Sequence, residues 1–272
     1  MIILNNKEVY VVRFPNGETN IDIEELCILE SKPNIMRFKF ETNEDLITLM
    51  FLKKHLDEYE NGMKIALIID YMPYSRMDRK IEGKVFTLKY ISEFLNNLNF
   101  NQIYVHEPHS DVSIALLNSC HFGYTTVEIA KRAMEDMSFN KDKDYVLFPD
   151  AGAQKRYGET FSEFKTLIGF KTRDLDSGKI ESLAIYGDGK LEGNKVLIID
   201  DLCSRGETFM RSAEAVEAIG GGDTYLAVTH LENNVLTGYL PTSHLIKGVY
   251  ASESICTRAS FEKLTLFNLE DM

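Results

Sequence analysis

Short runs of Val, Ile and Leu alternate along this chain with segments whose apolar residues recur at helical spacing. That alternation restricts the fold more than any other feature. The clearest runs are Lys64–Asp70 (KIALIID), Gln102–His106 (QIYVH), Tyr145–Phe148 (YVLF), Lys195–Asp200 (KVLIID) and Thr224–Val228 (TYLAV). Continuous apolar runs of this length belong to strands covered on both faces, as in parallel sheets. Between them, Leu46, Leu49, Met50, Leu52 and Leu56 mark one amphipathic helix, and Leu88, Ile91, Phe94, Leu95 and Leu98 another. A third is expected from about Glu207 to Ile219, stopped by Gly220-Gly221-Gly222. Strands alternating with helices imply βαβ units and open, mostly parallel sheets flanked by helices. Two such α/β domains are expected in series, over residues 1–130 and 131–272, with Lys263–Asn268 (KLTLFN) as a last strand.

A length of 272 residues agrees with about two domains. No apolar run approaches the roughly 18 residues of a membrane span. The first residues lack the basic start of a signal peptide, so a cytoplasmic location is expected. The formal net charge is -12. An acidic surface repels nucleic acid and anionic membranes, so neither is expected as a partner. Any anionic ligand must be met by a local basic cluster, which makes the few dense Lys/Arg groups informative. Cys27, Cys120, Cys203 and Cys256 are widely spaced, without a C-x-x-C pair, and are expected to be reduced thiols.

The most specific motif is Lys195–Thr208, KVLIIDDLCSRGET. An apolar strand ends in paired acids, and a short polar loop opens a helix. Ligands of open parallel sheets bind beyond the carboxyl ends of the strands. A helix start there offers free N–H groups and a positive dipole end to a phosphate. Adjacent carboxylates suit the vicinal hydroxyls of a sugar. The segment resembles the loop D-D-x-x-D-T-G-G-T shared by type I phosphoribosyltransferases and ribose-phosphate diphosphokinases. Asp200, Asp201, Gly206 and Thr208 match it, whereas Ser204, Arg205 and Glu207 depart. The resemblance implies that the paired acids hold ribose hydroxyls and that the turn holds the 5-phosphate.

Further segments resemble the diphosphokinases specifically. Pro73–Lys80 (PYSRMDRK) is similar to P-Y-A-R-Q-D-R-K, which implies ATP-phosphate contacts from Arg76, Asp78, Arg79 and Lys80. Phe14–Glu18 (FPNGE) is similar to F-S-D-G-E, which implies that Phe14, Asn16 and Glu18 reach the adenine, partly across a subunit boundary, in a homo-oligomer. Glu107–Asp111 places His109 on the family's metal-binding histidine, and Pro149–Arg156 (PDAGAQKR) places Asp150 on its metal-serving aspartate. Mg²⁺ prefers oxygen ligands, retains waters and is completed by substrate phosphates, so a sparse protein shell suits it. Lys171-Thr172-Arg173 matches K-R-R at both ends, which implies a catalytic role for Lys171 and Arg173 on a mobile arm. The fold implied is two tandem type I phosphoribosyltransferase-like domains. The activity implied is Mg²⁺-dependent transfer of the β,γ-diphosphoryl group of ATP to the anomeric hydroxyl of a ribose 5-phosphate unit. The alternatives are a type I phosphoribosyltransferase and a catalytically silent homologue.

Glu207 stands where the family has glycine beside the 5-phosphate. Its charge disfavours a terminal phosphate monoester more than a diester, and Arg205 suits a diphosphate. An acceptor extended at the 5-position, such as ADP-ribose, is therefore an alternative to ribose 5-phosphate. Ser204-Arg205-Gly206-Glu207 also fits a capping box, in which Glu207 folds back on the backbone.

Overall fold

The computed structural model describes residues 1–22, 28, 33–59, 63–173, 180–187 and 191–272. It divides into two compact units, Met1–Tyr124 and Thr125–Met272.

In the first unit the elements are β1 (Ile2–Leu4), β2 (Lys7–Glu8), β3 (Val11–Arg13), β4 (Thr19–Ile21), β5 (Asn34–Phe38), α1 (Asn43–Tyr59), β6 (Ile65–Ile69), α2 (Thr87–Asn97), β7 (Gln102–His106), α3 (Asp111–Ala115) and β8 (Cys120–Gly123). A six-stranded sheet runs β2-β1-β5-β6-β7-β8, and β3 and β4 form a separate hairpin. Pairing is parallel from β5 to β8 and antiparallel at β1 and β2. The leucines at helical spacing explain the packing: Leu49, Leu52 and Leu56 of α1 and Leu88 and Leu95 of α2 are buried in one core with Phe38, Leu67, Ile69 and Val105 of the sheet. Full burial of each such side chain is worth about 1.5–3 kcal/mol.

The second unit contains α4 (Thr125–Asp136), β9 (Tyr145–Phe148), α5 (Ala151–Tyr157), β10 (Lys165–Arg173), β11 (Ile180–Tyr186), β12 (Val196–Cys203), α6 (Glu207–Ala218), β13 (Thr224–Leu231), β14 (Ile246–Ser252) and β15 (Leu264–Phe267). Its seven-stranded sheet runs β11-β10-β9-β12-β13-β14-β15. All pairings are parallel except β10 with β11. Every residue of β9 is buried, as expected for a central strand without polar alternation. From β9 the chain adds β10 on one side and later β12 on the other. The strand order therefore reverses between β9 and β12, and the crevice at their carboxyl ends is the topological switch point, where open α/β sheets bind ligands.

Two sequence expectations change in detail. The strand carrying Asp200 and Asp201 does not end at the acids. It continues to Cys203, because Leu202 and Cys203 pair with His230 and Leu231 of β13. The capping box is not formed: the cap of α6 is Gly206, Ser204 lies ahead of it, and Glu207 is the first helical residue. No helix of the described residues is long and apolar enough to cross a membrane.

Candidate active site

The second unit builds its site around the switch point. Pro149 and Asp150 follow β9, and Asp150 caps α5, its Oδ1 accepting the N–H of Ala153 at 3.0 Å. The cap fixes the aspartate at the edge of the crevice. Across the crevice, Asp200 and Asp201 are both buried in β12. Arg156, in the last turn of α5, spans to them: its Nη2 donates to Asp200 Oδ1 at 3.1 Å and to Asp201 Oδ1 at 2.6 Å. The backbone N–H of Asp201 also donates to Asp200 Oδ1, at 3.0 Å. Behind the acids, the Thr126 hydroxyl of α4 donates to the Asp200 carbonyl at 3.2 Å and lies 2.7 Å from the Thr229 hydroxyl of β13. The ends of β12 and β13 are thus tied together beneath the site.

Burial holds the Asp200 carboxyl well above the usual carboxylate range, the charges of Asp201 and Asp150 raise it further, and Arg156 opposes them. Three carboxylates sharing one field with one guanidinium form an oxygen-rich, electron-rich donor set. Such a set fits a hard divalent cation. Among the described residues no group of three or more His, Cys, Asp or Glu is arranged to hold a metal by itself. The carboxylate-rich edge would fit a hard cation such as Mg²⁺, whose remaining positions water and phosphate oxygens would fill.

The loop after β12 is shaped by Gly206. Its φ of 81° is left-handed, and a Cβ there would fall 2.5 Å from the Leu240 side chain. Arg205 is exposed, donates from Nη2 to the Thr237 carbonyl at 3.1 Å, and its backbone carbonyl accepts from the Tyr239 N–H at 2.9 Å. Glu207 and Thr208 are half-buried at the start of α6, and Ser204 is half-buried before it. The segment after β13 therefore rests directly on the predicted phosphate loop, at the same carboxyl edge. Within it Tyr239, whose backbone N–H is bonded to the Arg205 carbonyl, is 49% exposed.

Lys171 and Arg173 lie near the end of β10, paired with β11 at Leu183 and Ile180, with a register shift between Thr172 and Arg173. Their side chains, and residues 174–179 that follow, lie outside the described ones.

In the first unit the basic segment leaves the carboxyl end of β6. Arg76, Arg79 and Lys80 are exposed and Asp78 is half-buried. The turn is held by Ser75 and Met77 N–H bonds to Met72 and Tyr74 carbonyls and by the Tyr74 hydroxyl, which donates to Asn43. At its base the buried Asp70 pairs with Arg37 Nε at 2.7 Å. His109, half-buried, leaves the same edge from the neighbouring strand β7, after Glu107 with φ 48°. Phe14–Glu18 is the turn of the β3–β4 hairpin, closed by Phe14 N–H to Glu18 carbonyl (2.8 Å) and by Asn16 Nδ2 to Glu18 Oε2 (2.8 Å). Phe14, Gly17 and Glu18 line a groove of about 470 Å³ with Ile47 and Phe51 of α1. Among the described residues the basic segment does not line that groove: Arg76–Lys80 and His109 follow the ends of the neighbouring strands β6 and β7, and the hairpin lies beside α1. Cys203 and Cys256 are buried and Cys120 is half-buried, its thiol pushed up to about 11 by burial; Cys27 lies outside the described residues.

Sequence reasoning gave no role to Arg156, although it is the final cation of PDAGAQKR, nor to Thr126, which no motif marks.

No protein-family model matches the chain. The ribose-phosphate pyrophosphokinase of Sulfurisphaera tokodaii is 26% identical over 223 residues, spanning 80% of this chain and 74% of that protein. The ribose-phosphate pyrophosphokinase of Thermosipho africanus is 26% identical over 273 residues, spanning 95% and 82%. In fold, the chain is similar to phosphoribosylpyrophosphate synthetase from Mycobacterium smegmatis, with a TM-score of 0.77 at 18% identity, over 97% of this chain and 87% of that one. The two type I phosphoribosyltransferase-like domains expected from the sequence are the fold observed. Over most of its length the chain is thus similar in sequence to ribose-phosphate pyrophosphokinases, at about a quarter identity, and similar in fold to a phosphoribosylpyrophosphate synthetase.

Proposed function

We propose that the chain is a Mg²⁺-dependent diphosphokinase that transfers the β,γ-diphosphoryl group of ATP to the anomeric hydroxyl of a ribose 5-phosphate unit and releases AMP. One observation carries this reading: buried Asp200 and Asp201 sit at the switch-point crevice, one loop before the Gly206-capped start of α6. A pair of acids suited to a diol, one loop before a helix start suited to a phosphate, supports a sugar phosphate as the ligand.

The anomeric oxygen forms a bond to the β-phosphorus while the bond from that phosphorus to the α,β-bridging oxygen breaks. The hydroxyl proton leaves to solvent and AMP carries away the bridging oxygen. Such a transfer asks for positioning and charge stabilisation more than for covalent chemistry. Asp200 and Asp201 orient the sugar. Arg76, Arg79 and Lys80 supply cations for ATP phosphates, and Lys171 and Arg173 offset charge on the bridging oxygen. Asp150 in the second unit and His109 at the strand edge of the first are the proposed Mg²⁺ residues, and the ion would supply positive charge to offset that of the phosphates.

We infer further that the acceptor is extended at the 5-position, ADP-ribose being the simplest case. Glu207 begins α6 and makes no capping box, which supports a carboxylate that faces the phosphate loop. Arg205 suits the second phosphate of a diphosphate, and exposed Tyr239 suits a nucleobase. The test is AMP release from ATP with Mg²⁺, comparing ribose 5-phosphate with ADP-ribose. Turnover of neither sinks the diphosphokinase. A clear preference for ribose 5-phosphate sinks the extension alone.

A further inference from the structure

Among the described residues, Arg156 donates side-chain hydrogen bonds to both of the paired acids. A single nitrogen, Nη2, is bonded to one oxygen of each: 3.1 Å to Asp200 Oδ1 and 2.6 Å to Asp201 Oδ1. Consecutive strand residues ordinarily send their side chains to opposite faces. A donor shared by both draws the two carboxylates toward one side of the crevice. The Arg156 side chain is 12% exposed, and its Cζ lies 5.6 Å from the centroid of the Tyr157 ring, so it is held by packing as well as by charge. It belongs to the same short helix that Asp150 caps, so one element places both an acid and the cation.

We infer that Arg156 is a positioning residue for the acceptor: by holding one oxygen of Asp200 and one of Asp201, it sets the carboxylate planes so that both acids meet the vicinal hydroxyls of the reacting ribose together. This rests on the reading of Asp200 and Asp201 as the diol-binding pair. Arg156 touches neither substrate in this scheme. Its work is done through the acids, and without it two buried, mutually repelling carboxylates turn apart. The direction in which Arg156 moves the Asp200 carboxyl, against burial and the neighbouring acids, agrees with that role.

The experiment measures AMP release by wild type, Arg156→Met and Arg156→Lys, with the acceptor that wild type turns over and with its 2-deoxy analogue. In Arg156→Met the acceptor KM is expected to rise about 10²-fold, the cost of misplacing a gripping group, with the ATP KM within about twofold. Arg156→Lys, whose ammonium has three donors and can reach both oxygens, restores the acceptor KM to within about threefold to tenfold of wild type. The penalty for lacking the 2-hydroxyl shrinks in Arg156→Met to under about threefold, because the grip it reports is already lost. An unchanged acceptor KM, an equal rise for ATP and acceptor without rescue by lysine, or an undiminished 2-deoxy penalty each overturns the inference. Should Arg156→Met fail to fold, Arg156→Lys decides: its acceptor KM must rise at least about threefold with the ATP KM fixed, and no rise overturns the clamp. Wild type that turns over no acceptor refutes the diphosphokinase itself, a result distinct from failure of the clamp.

Discussion

Replacing Glu207 by glutamine removes one charge and almost no volume, at a helix position where glutamine is as well tolerated as glutamate. Glu207 is half-buried at the first turn of α6, beside the predicted phosphate position. Two unit charges 4 Å apart interact by about 1 kcal/mol in water and about 4 kcal/mol at an effective dielectric near 20. Half-burial sets the pair between these limits, and salt screens part of it. A phosphate monoester carries up to about two charges at neutral pH, and a diphosphate linkage one per phosphorus. Glu207 therefore discriminates by one extra charge pair, about 1–2 kcal/mol, or roughly 5- to 30-fold in kcat/KM. The assay is AMP release with ribose 5-phosphate and with ADP-ribose, at fixed Mg²⁺ and ionic strength. In Glu207→Gln the ratio of the two kcat/KM values should move 5- to 30-fold, by the same order-of-magnitude estimate, toward ribose 5-phosphate. The shift should shrink when the salt concentration is raised. An unchanged ratio, or an equal fall for both acceptors, refutes the electrostatic account of the loop.

Lys171→Ala and Arg173→Ala should each lower kcat by about 10² to 10³ with little change in substrate KM, and undiminished turnover removes the residue from the mechanism. Asp200→Asn should abolish acceptor binding yet raise the melting temperature by a few degrees at pH 7–8, on the order expected for removing one strained buried charge. The sign follows from linkage: the Asp200 carboxyl binds its proton more tightly in the fold, so stability is fully present below its unfolded pKa and is lost as pH rises through the raised one. The melting advantage of the variant should accordingly vanish near pH 3–4, about the ordinary aspartate range, and an advantage that persists there would contradict it. Tyr239→Ala should raise the KM for ADP-ribose about tenfold, the worth of one aromatic stack, and leave ribose 5-phosphate unaffected; equal effects on both acceptors would remove Tyr239 from acceptor recognition.

Much of the fold was legible because the buried strands are apolar without interruption. Gln102–His106 and Tyr145–Phe148 were read with their observed limits, and the glycine stop after α6 fell where expected. The end of β12 was misplaced because acids ordinarily terminate a strand, whereas here Leu202 and Cys203 keep pairing with β13. The antiparallel attachments, β1 on β5 and β11 on β10, left no mark in the sequence, since pairing direction depends on the path of the chain and not on residue type. The capping box was a valid local pattern that the fold did not use: the left-handed Gly206, close against Leu240, is the cap, and the helix starts past Ser204. Arg156 and Thr126 were invisible as partners of Asp200 because their distance along the chain says nothing about the switch point that joins them. What the motifs did mark was the chemistry, since paired acids and a basic turn follow strands that the pattern had already placed.

Gly206 carries a consequence for how such a loop diversifies. Any side chain at that position would collide with Leu240 and adopt a disfavoured backbone, so the path of the turn is dictated by a residue that contributes no chemistry of its own. Its neighbours Ser204, Arg205 and Glu207 are correspondingly free to change polarity and charge without rerouting the chain. The cradle behaves as a fixed mould with exchangeable lining, and a lineage can retune what it admits while leaving the scaffold untouched.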